Sequence, residues 1–317
     1  MNSIQAKRYT DLNSHLKERF GKRVQKLTVD AGFTCPNRDG HNGTGGCIFC
    51  NEKGSGTGAH LLGTSVSDQI RQGRTALFKR YKAKLFLVYF QAYSNTYAPV
   101  KRLKALYDEA LAFDDVVGLA IGTRPDCVDE EKLALLDAYS REKLIWIEYG
   151  LQSAHDTTLA AINRGHDVAC FKEAVALTRK IAPEVKICAH IILGLPGETR
   201  EMMLEGARLL ADLGVDGVKI HLLYVVKDTP LDTLYLKGDY TCMEEDDYVE
   251  TVCDFLELLP PEMVIQRLTG DPHRDELRAP QWPLKKGTTL ARIQATLEAR
   301  GTAQGSRYMK EPQNEGS

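Results

Sequence analysis

Three cysteines, Cys35, Cys47 and Cys50, stand in the stretch "CPNRDGHNGTGGCIFC" at a C-x(11)-C-x(2)-C spacing, with four glycines among them. Two thiols would form a disulfide, and four would close a tetrahedral zinc site. Three thiolates hold three irons of a 4Fe-4S cluster and leave the fourth iron open. Gly40, Gly43, Gly45 and Gly46 let the backbone wrap tightly around a bulky inorganic body and offer N–H groups to its sulfurs. Zinc is the rival metal, with His41 or His60 completing four ligands. The other thiols, Cys127, Cys170, Cys188, Cys242 and Cys253, are scattered without a close pair. They read as buried small hydrophobes and support no second cluster.

The cysteine loop must be carried by a scaffold, and the chain supplies one by alternation. Apolar, β-branched runs at "VQKLTVD", "LFLVYFQ", "VVGLAIG", "LIWIEYG", "VKICAHIILG", "GVKIHLLYVV" and the shorter "MVIQRL" are separated by segments of helical period. Strands alternating with helices of about 10–15 residues predict βαβ units and a parallel sheet. The fold expected is α/β, a partial (β/α)6-type TIM barrel with a C-terminal extension. A doubly wound sheet competes, but no G-x-G-x-x-G follows the first strand; the cysteine loop does. In such folds chemistry sits at the carboxyl ends of the strands, where this loop begins. Residues 1–23 read as a basic N-terminal segment, 24–285 as the barrel core with C-terminal elements, and 286–317 as a C-terminal helix and tail. From about Thr302 the tail is polar and is expected to be disordered.

The chain has 317 residues, with 41 Lys and Arg, 43 Asp and Glu, and a formal net charge of −2. The balance is uneven: residues 1–104 hold 18 basic and only 6 acidic side chains. Three basic groups stand out, at Lys17 to Arg23, Lys79 to Lys84, and Lys101 to Lys104. A polyanion partner and a set of solvated helix faces both fit this pattern. The start, "MNSIQAKRYT", has no apolar core of a secretion signal, and no apolar run approaches the roughly 18 residues of a membrane span. With eight cysteines, this points to a reducing cytoplasm and no membrane partner.

The three-cysteine loop after the first strand resembles the radical S-adenosylmethionine (SAM) superfamily. The usual first spacing of three is lengthened here to eleven, which resembles the branch that holds the catalytic subunit of Elongator and the bacterial YhcC/YtqA-like (MnmL-like) proteins. "GFTCPNRDG", "YFQAYSNTYAP", "GTRPDC", "GLQSAHDTTLAAINRGHD" and "GLPGE" appear in the order expected for that branch, between about Lys22 and Pro283. The resemblance implies that the open iron is chelated by SAM, which is cleaved to a 5′-deoxyadenosyl radical. It implies cofactor contacts from Gln91 and Ser94 near the methionyl amino group, from Thr123 and Arg124 at the rim, where Arg124 could instead hold a substrate anion, and from Gln152 and Ser153 after the fourth strand. It further implies Arg164 at the cofactor carboxylate and Ile192 with Gly194 at the adenine. Tyr93 and Tyr97 are candidates to stack on a base or to wall off the site, or to belong to the core. His190, Lys219 and His221, within strands, are either catalytic or satisfied interior polar groups.

The same resemblance points to the C5 side chain of the wobble uridine in tRNA as substrate, with carboxymethylaminomethyl- to aminomethyl-uridine as the step. It also points to an electron donor such as flavodoxin or ferredoxin. A small-molecule radical enzyme and a non-enzymatic zinc or cluster module are the alternatives.

Overall fold

The computed structural model describes residues 7–54, 58–63 and 65–309. The expected runs become parallel strands: β1 (Val24–Val29), β2 (Leu85–Phe90), β3 (Val116–Thr123), β4 (Leu144–Gln152), β5 (Lys186–Leu193) and β6 (Gly217–Leu222). The run expected to continue to Val226 breaks after β6. Its end, β7 (Val225–Val226), pairs antiparallel with β9 (Leu277–Ala279), while β8 (Val264–Arg267) adds to the edge of β6. The helices are α1 (Leu12–Phe20), α2 (Val66–Tyr81), α3 (Val100–Leu111), α4 (Glu130–Ser140), α5 (Asp156–Ala161), α6 (Val168–Ile181), α7 (Arg200–Asp212), α8 (Pro230–Lys237), α9 (Glu245–Leu258) and α10 (Lys286–Arg300). The main sheet has seven strands in the order β1-β2-β3-β4-β5-β6-β8, a curled half-barrel.

Residue parity divides each strand between two environments. Val29, Val88, Phe90, Leu119, Ile121, Ile145, Ile147, Ile187 and Ala189 are fully buried among the surrounding helices. The opposite parity faces the concave interior. At the amino ends of the strands this side is apolar: Val24, Leu144, Trp146 and Val264 pack with Leu16 of α1. Helix α1 begins at Asp11, whose carboxylate caps the backbone N–H groups of Asn13 and Ser14. It packs against both β1 and β8. The backbone at Thr10 and Asp11 also bonds to Ile265 on the open edge of β8. The basic N-terminal segment is thus part of the half-barrel's closure.

The tail departs from the disorder expected of it. Gln304 is buried, and its amide donates to the carbonyls of Pro260 and Met263 at 2.6 and 2.8 Å while its Oε1 accepts from Thr10 N–H at 2.9 Å. Arg307 faces Asp254 and Glu257. Polar composition reads as solvated, but here these groups satisfy backbone at the end of α9 and before β1. Residues 310–317 lie outside the described residues. Among the described residues, no helix is long and apolar enough to cross a membrane.

Close pairing of β3 with β4 requires a residue without a side chain at Gly118, where a β-carbon would stand 1.9 Å from the Leu144 carbonyl oxygen. Gly118→Ala is therefore expected to cost about 1–3 kcal/mol or more. The check is the midpoint of denaturant unfolding, and an unchanged midpoint would contradict this packing.

Candidate active site

The cysteine loop leaves the carboxyl end of β1 and folds back on itself. Arg38 and Asp39 N–H groups donate to the Cys35 carbonyl, Gly46 N–H to Asn37 O, and Cys50 N–H to Cys47 O. Arg38 Nη2 bridges the carbonyls of Cys50 and Asn51 at 2.7 Å each. Ile48 and Phe49, between the second and third cysteines, pack with Ile162, Ile192, Leu223 and Leu231, so "CIFC" is anchored by its apolar middle. Backbone bonds from Ile48 N–H to Ile162 O and from Leu231 N–H to Ile48 O pin the loop to the segments after β4 and β6.

Cys35, Cys47 and Cys50 all line one cavity of about 570 Å³ at the carboxyl ends of the strands. This volume is within the ordinary range of ligand sites. Donors point at the thiols: Arg164 Nη1 lies 3.6 Å and Asn37 Nδ2 3.9 Å from Cys47 Sγ. Such donors are what cluster thiolates accept. Two buried polar atoms here have no partner: Asn37 Oδ1 and Arg164 Nε. Orphaned buried groups beside three thiols fit a polar cofactor that supplies the missing bonds. Among the described residues no three His, Cys, Asp or Glu side chains converge on a single ion. This holds for the three thiols as well as for any set with His41, and the side chain of His60 lies outside the described residues. The remaining thiols sit apart, and burial raises them: Cys127 to about 12, Cys170 to about 11, Cys242 to about 11 and Cys253 to about 12, with Cys188 also raised. Burial raises the Cys50 thiol as well, so it is their place away from the loop cavity that sets them apart.

Most of the expected cofactor residues meet at this cavity: Gln91, Ser94, Thr123, Arg124, Gln152, Arg164 and Ile192 all line it. Gln152 follows a register shift between β4 and β5 and has φ 77°, so its side chain is turned by a bulge. Arg164 reaches in because Gly150 yields space: a β-carbon there would stand 2.5 Å from Arg164 Nη2, which donates to Gly150 O at 2.6 Å. Arg124 is held otherwise than expected. Its guanidinium makes a bidentate pair with Asp126 at 2.8 and 2.7 Å, and Nη1 donates to Arg164 O at 2.7 Å. Burial opposes the charge of Arg124, but Asp126 more than offsets it. Arg124 thus positions the turn that carries Arg164.

Two expected residues do not line the cavity. Ser153 Oγ donates to Glu198 and accepts from His155 N–H, closing the turn after β4. The space at Gly194 is taken by Met243, whose Cγ and Sδ lie 3.0 Å from where a β-carbon would be. Tyr93 lines the cavity with its hydroxyl on Glu52 O, and Tyr97 lies 6.1 Å from the His41 ring.

Beneath this rim is a polar layer that the sequence reading largely passed over. Glu148 of β4 is buried and accepts from Lys26 Nζ of β1 at 2.8 Å, from Lys219 Nζ of β6, and from His190 Nε2 of β5 at 3.0 Å. Burial works against its ionisation, but Lys219 and Lys26 outweigh it and hold the carboxyl well below the ordinary range. Burial, then Lys219, lowers His190 to about 4, so its ring is neutral and Nε2–H is the donor. Tyr89 lies under both lysines, with Lys219 Nζ 4.0 Å and Lys26 Nζ 4.6 Å from its ring centre. A signal was present: Lys26, Glu148, His190, Lys219 and His221 interrupt largely apolar strands at the inward parity. A second cavity, about 600 Å³ at the amino ends of the strands beside His15 and Trp146, holds no thiol.

Replacing Cys35, Cys47 or Cys50 by alanine is expected to abolish iron and sulfide uptake on anaerobic reconstitution, while Cys242→Ala retains it. Metal analysis checks both. Burial also lowers His166 and His221, each to about 3. With His190 at about 4, the unfolded chain takes up protons below about pH 6.5 that the folded chain refuses. Stability is therefore complete above about pH 6.5 and falls as pH drops from there toward about 4. Denaturant midpoints of cluster-free protein across that window test the sign, and a flat profile would refute it.

A family model described as "Radical SAM superfamily" matches residues 38–210, taking in Cys47 and Cys50 but beginning after Cys35, and "Radical_SAM C-terminal domain" matches 215–299. The chain is 43% identical to "Uncharacterized protein YtqA" of Bacillus subtilis, over 96% of this chain and 94% of that protein. It is 29% identical to a "tRNA uridine(34) acetyltransferase" of Dehalococcoides mccartyi over 49% of this chain and 33% of that one. In structure it matches Elp3 of Methanocaldococcus infernus with a TM-score of 0.66 at 16% identity, covering 89% of this chain and 64% of the other, a likeness of fold. With barrel and C-terminal elements both matched, the chain belongs to the radical S-adenosylmethionine superfamily, whose cofactors are a 4Fe-4S cluster and SAM.

Proposed function

We propose that this radical SAM enzyme modifies the C5 side chain of the wobble uridine in tRNA, trimming carboxymethylaminomethyluridine to aminomethyluridine. The observation that carries this reading is the cavity itself, which runs from the three thiols down to the charged layer around Glu148. The relative named for uridine 34 of tRNA, aligned over half of this chain, supports the same target. Bound at the thiols, the cluster and SAM would supply a 5′-deoxyadenosyl radical to take a hydrogen atom from the carboxymethyl carbon beside the amine; return of a second electron to the cluster and addition of water would then release the two carbons as glyoxylate and leave the aminomethyl group.

The chain's own residues bind and orient. Cys35, Cys47 and Cys50 hold the cluster; Gln91, Ser94 and Gln152 present polar groups toward SAM, and Arg164 is the guanidinium for its carboxylate. Ser153 and Gly194 act behind this wall, fixing the turns after β4 and β5. Tyr93 at the rim offers a face for a base, and an anticodon base is already unpaired. Lys101 and Arg102, at the start of α3, are exposed beside the carboxyl end of β2 and suit phosphate contacts. A flavodoxin or ferredoxin supplies the electron.

One observation favours a second reading, a small-molecule substrate. The basic groups do not share a face. Lys22 and Arg23 precede β1 and Lys82 and Lys84 precede β2, so both lie at the amino ends of parallel strands, away from the cavity. Nucleoside mass spectrometry of tRNA from a strain lacking the gene decides between them. The tRNA reading expects loss of the aminomethyl product with accumulation of its precursor at uridine 34, and an unchanged profile would overturn it.

A further inference from the structure

The charged layer at the cavity floor is not balanced. Lys26, Lys219 and Arg267 bring three cations from β1, β6 and β8, and Glu148 is the single carboxylate among them. Glu148 is already engaged by both lysines and by His190. Arg267 lines the cavity. Among the described residues it makes no side-chain hydrogen bond or ion pair, although its charge is felt by Lys219, His190, His221 and Tyr224 around it. The nearby acids are committed elsewhere: Asp271 pairs with Lys286 at 2.9 Å, and Glu276 pairs with Lys53. Lys219 and Arg267 are register partners on β6 and β8, and only Lys219 has a carboxylate, so the second charge is held at a cost that a bound anion would relieve.

We propose that Arg267, with Lys219 beside it, forms a subsite for a carboxylate of the substrate, and that Glu148 is the fixed counter-ion that holds Lys219 and Lys26 in place. A planar, bidentate guanidinium fits a carboxylate. The subsite is distinct from the place of the cofactor's carboxylate: Arg164 stands at Cys47, on the loop side, whereas Arg267 is on the last strand of the sheet. Its assignment to the carboxymethylamino end of a modified uridine rests on the preceding reading; the subsite itself rests on the charges alone. Aromatic and neutral imidazole groups complete the wall. His221 bonds to Leu222 O through Nδ1 and lies 5.3 Å from the Tyr224 ring.

The test is binding by calorimetry to the anaerobically reconstituted full chain. The probes are two anticodon stem-loops that differ only in carrying carboxymethylaminomethyl- or aminomethyl-uridine, and N-methylglycine as a free carboxylate of the same type. The wild type is expected to prefer the carboxylated stem-loop by about 10- to 100-fold, the worth of a charge-assisted hydrogen bond to a buried partner. Arg267→Gln is expected to lose that preference while iron content and SAM affinity stay unchanged, and Arg267→Lys to keep part of it. Equal affinity of the wild type for both stem-loops overturns the subsite and leaves the tRNA reading standing. Loss of SAM affinity in Arg267→Gln with the preference intact also overturns it, because Arg267 would then serve the cofactor. If neither stem-loop binds but N-methylglycine does so in an Arg267-dependent way, the subsite stands and the tRNA reading falls.

Discussion

The buried carboxylate of Glu148 sets the terms for the rest of the molecule. Lys26 and Lys219 both reach it, yet they belong to β1 and β6, five places apart in the sheet order. In a flat sheet, strands about 4.8 Å apart would separate them by roughly 24 Å. The Lys26 ammonium also meets Gln266, on the far edge strand β8, at 2.8 Å. These contacts exist only because the sheet curls until its two ends face each other across the interior. The charge therefore reports the curvature, and the curvature in turn makes the charge tolerable. Removing one partner would leave a buried ion uncompensated, which is far more costly than the pair itself.

On this frame the interior is layered by parity. Apolar side chains with Trp146 and Leu16 fill the amino end, the Glu148 ion cluster forms a middle layer, and the cofactor wall with the three thiols forms the carboxyl end. The order has a chemical use. A radical intermediate needs a site without water or stray hydrogen donors, and the apolar plug under α1 seals one end while the charged layer orients whatever enters from the other. The rim is held by bonds made among its own turns: Arg124 to Asp126 and to the Arg164 carbonyl, Arg164 to Gly150, and Asn37 to the Asn163 carbonyl at 2.6 Å.

Local signals and tertiary ones separate cleanly along particular residues. The strands and the cysteine loop were legible because period, β-branching and ligand spacing are properties of neighbouring residues. Gln91 and Ile192 were legible as cavity residues because each lies at or just beyond the end of a strand, whereas Arg164, beyond α5, was legible only through the family resemblance. Ser153 and Gly194 were misplaced for one reason: a position after a strand can turn inward or back against the next helix, and Glu198 and Met243 decide that from a distance. The tail from Thr302 looked solvated, yet Gln304 is buried on carbonyls more than forty residues away in sequence.

The sequence by itself determined the chemistry on offer and the scaffold: three thiols short of a closed metal site, carried by a repeating βα unit. Spacing and periodicity suffice for both. Only the tertiary structure decided which charges meet. Lys26, Glu148, Lys219 and Arg267 are scattered through the chain on four different strands, and nothing local says that they converge. Curling of the sheet brings them to one floor, leaves Arg267 without a counter-ion among the described residues, and sends the basic groups of the first 104 residues to opposite ends of the barrel.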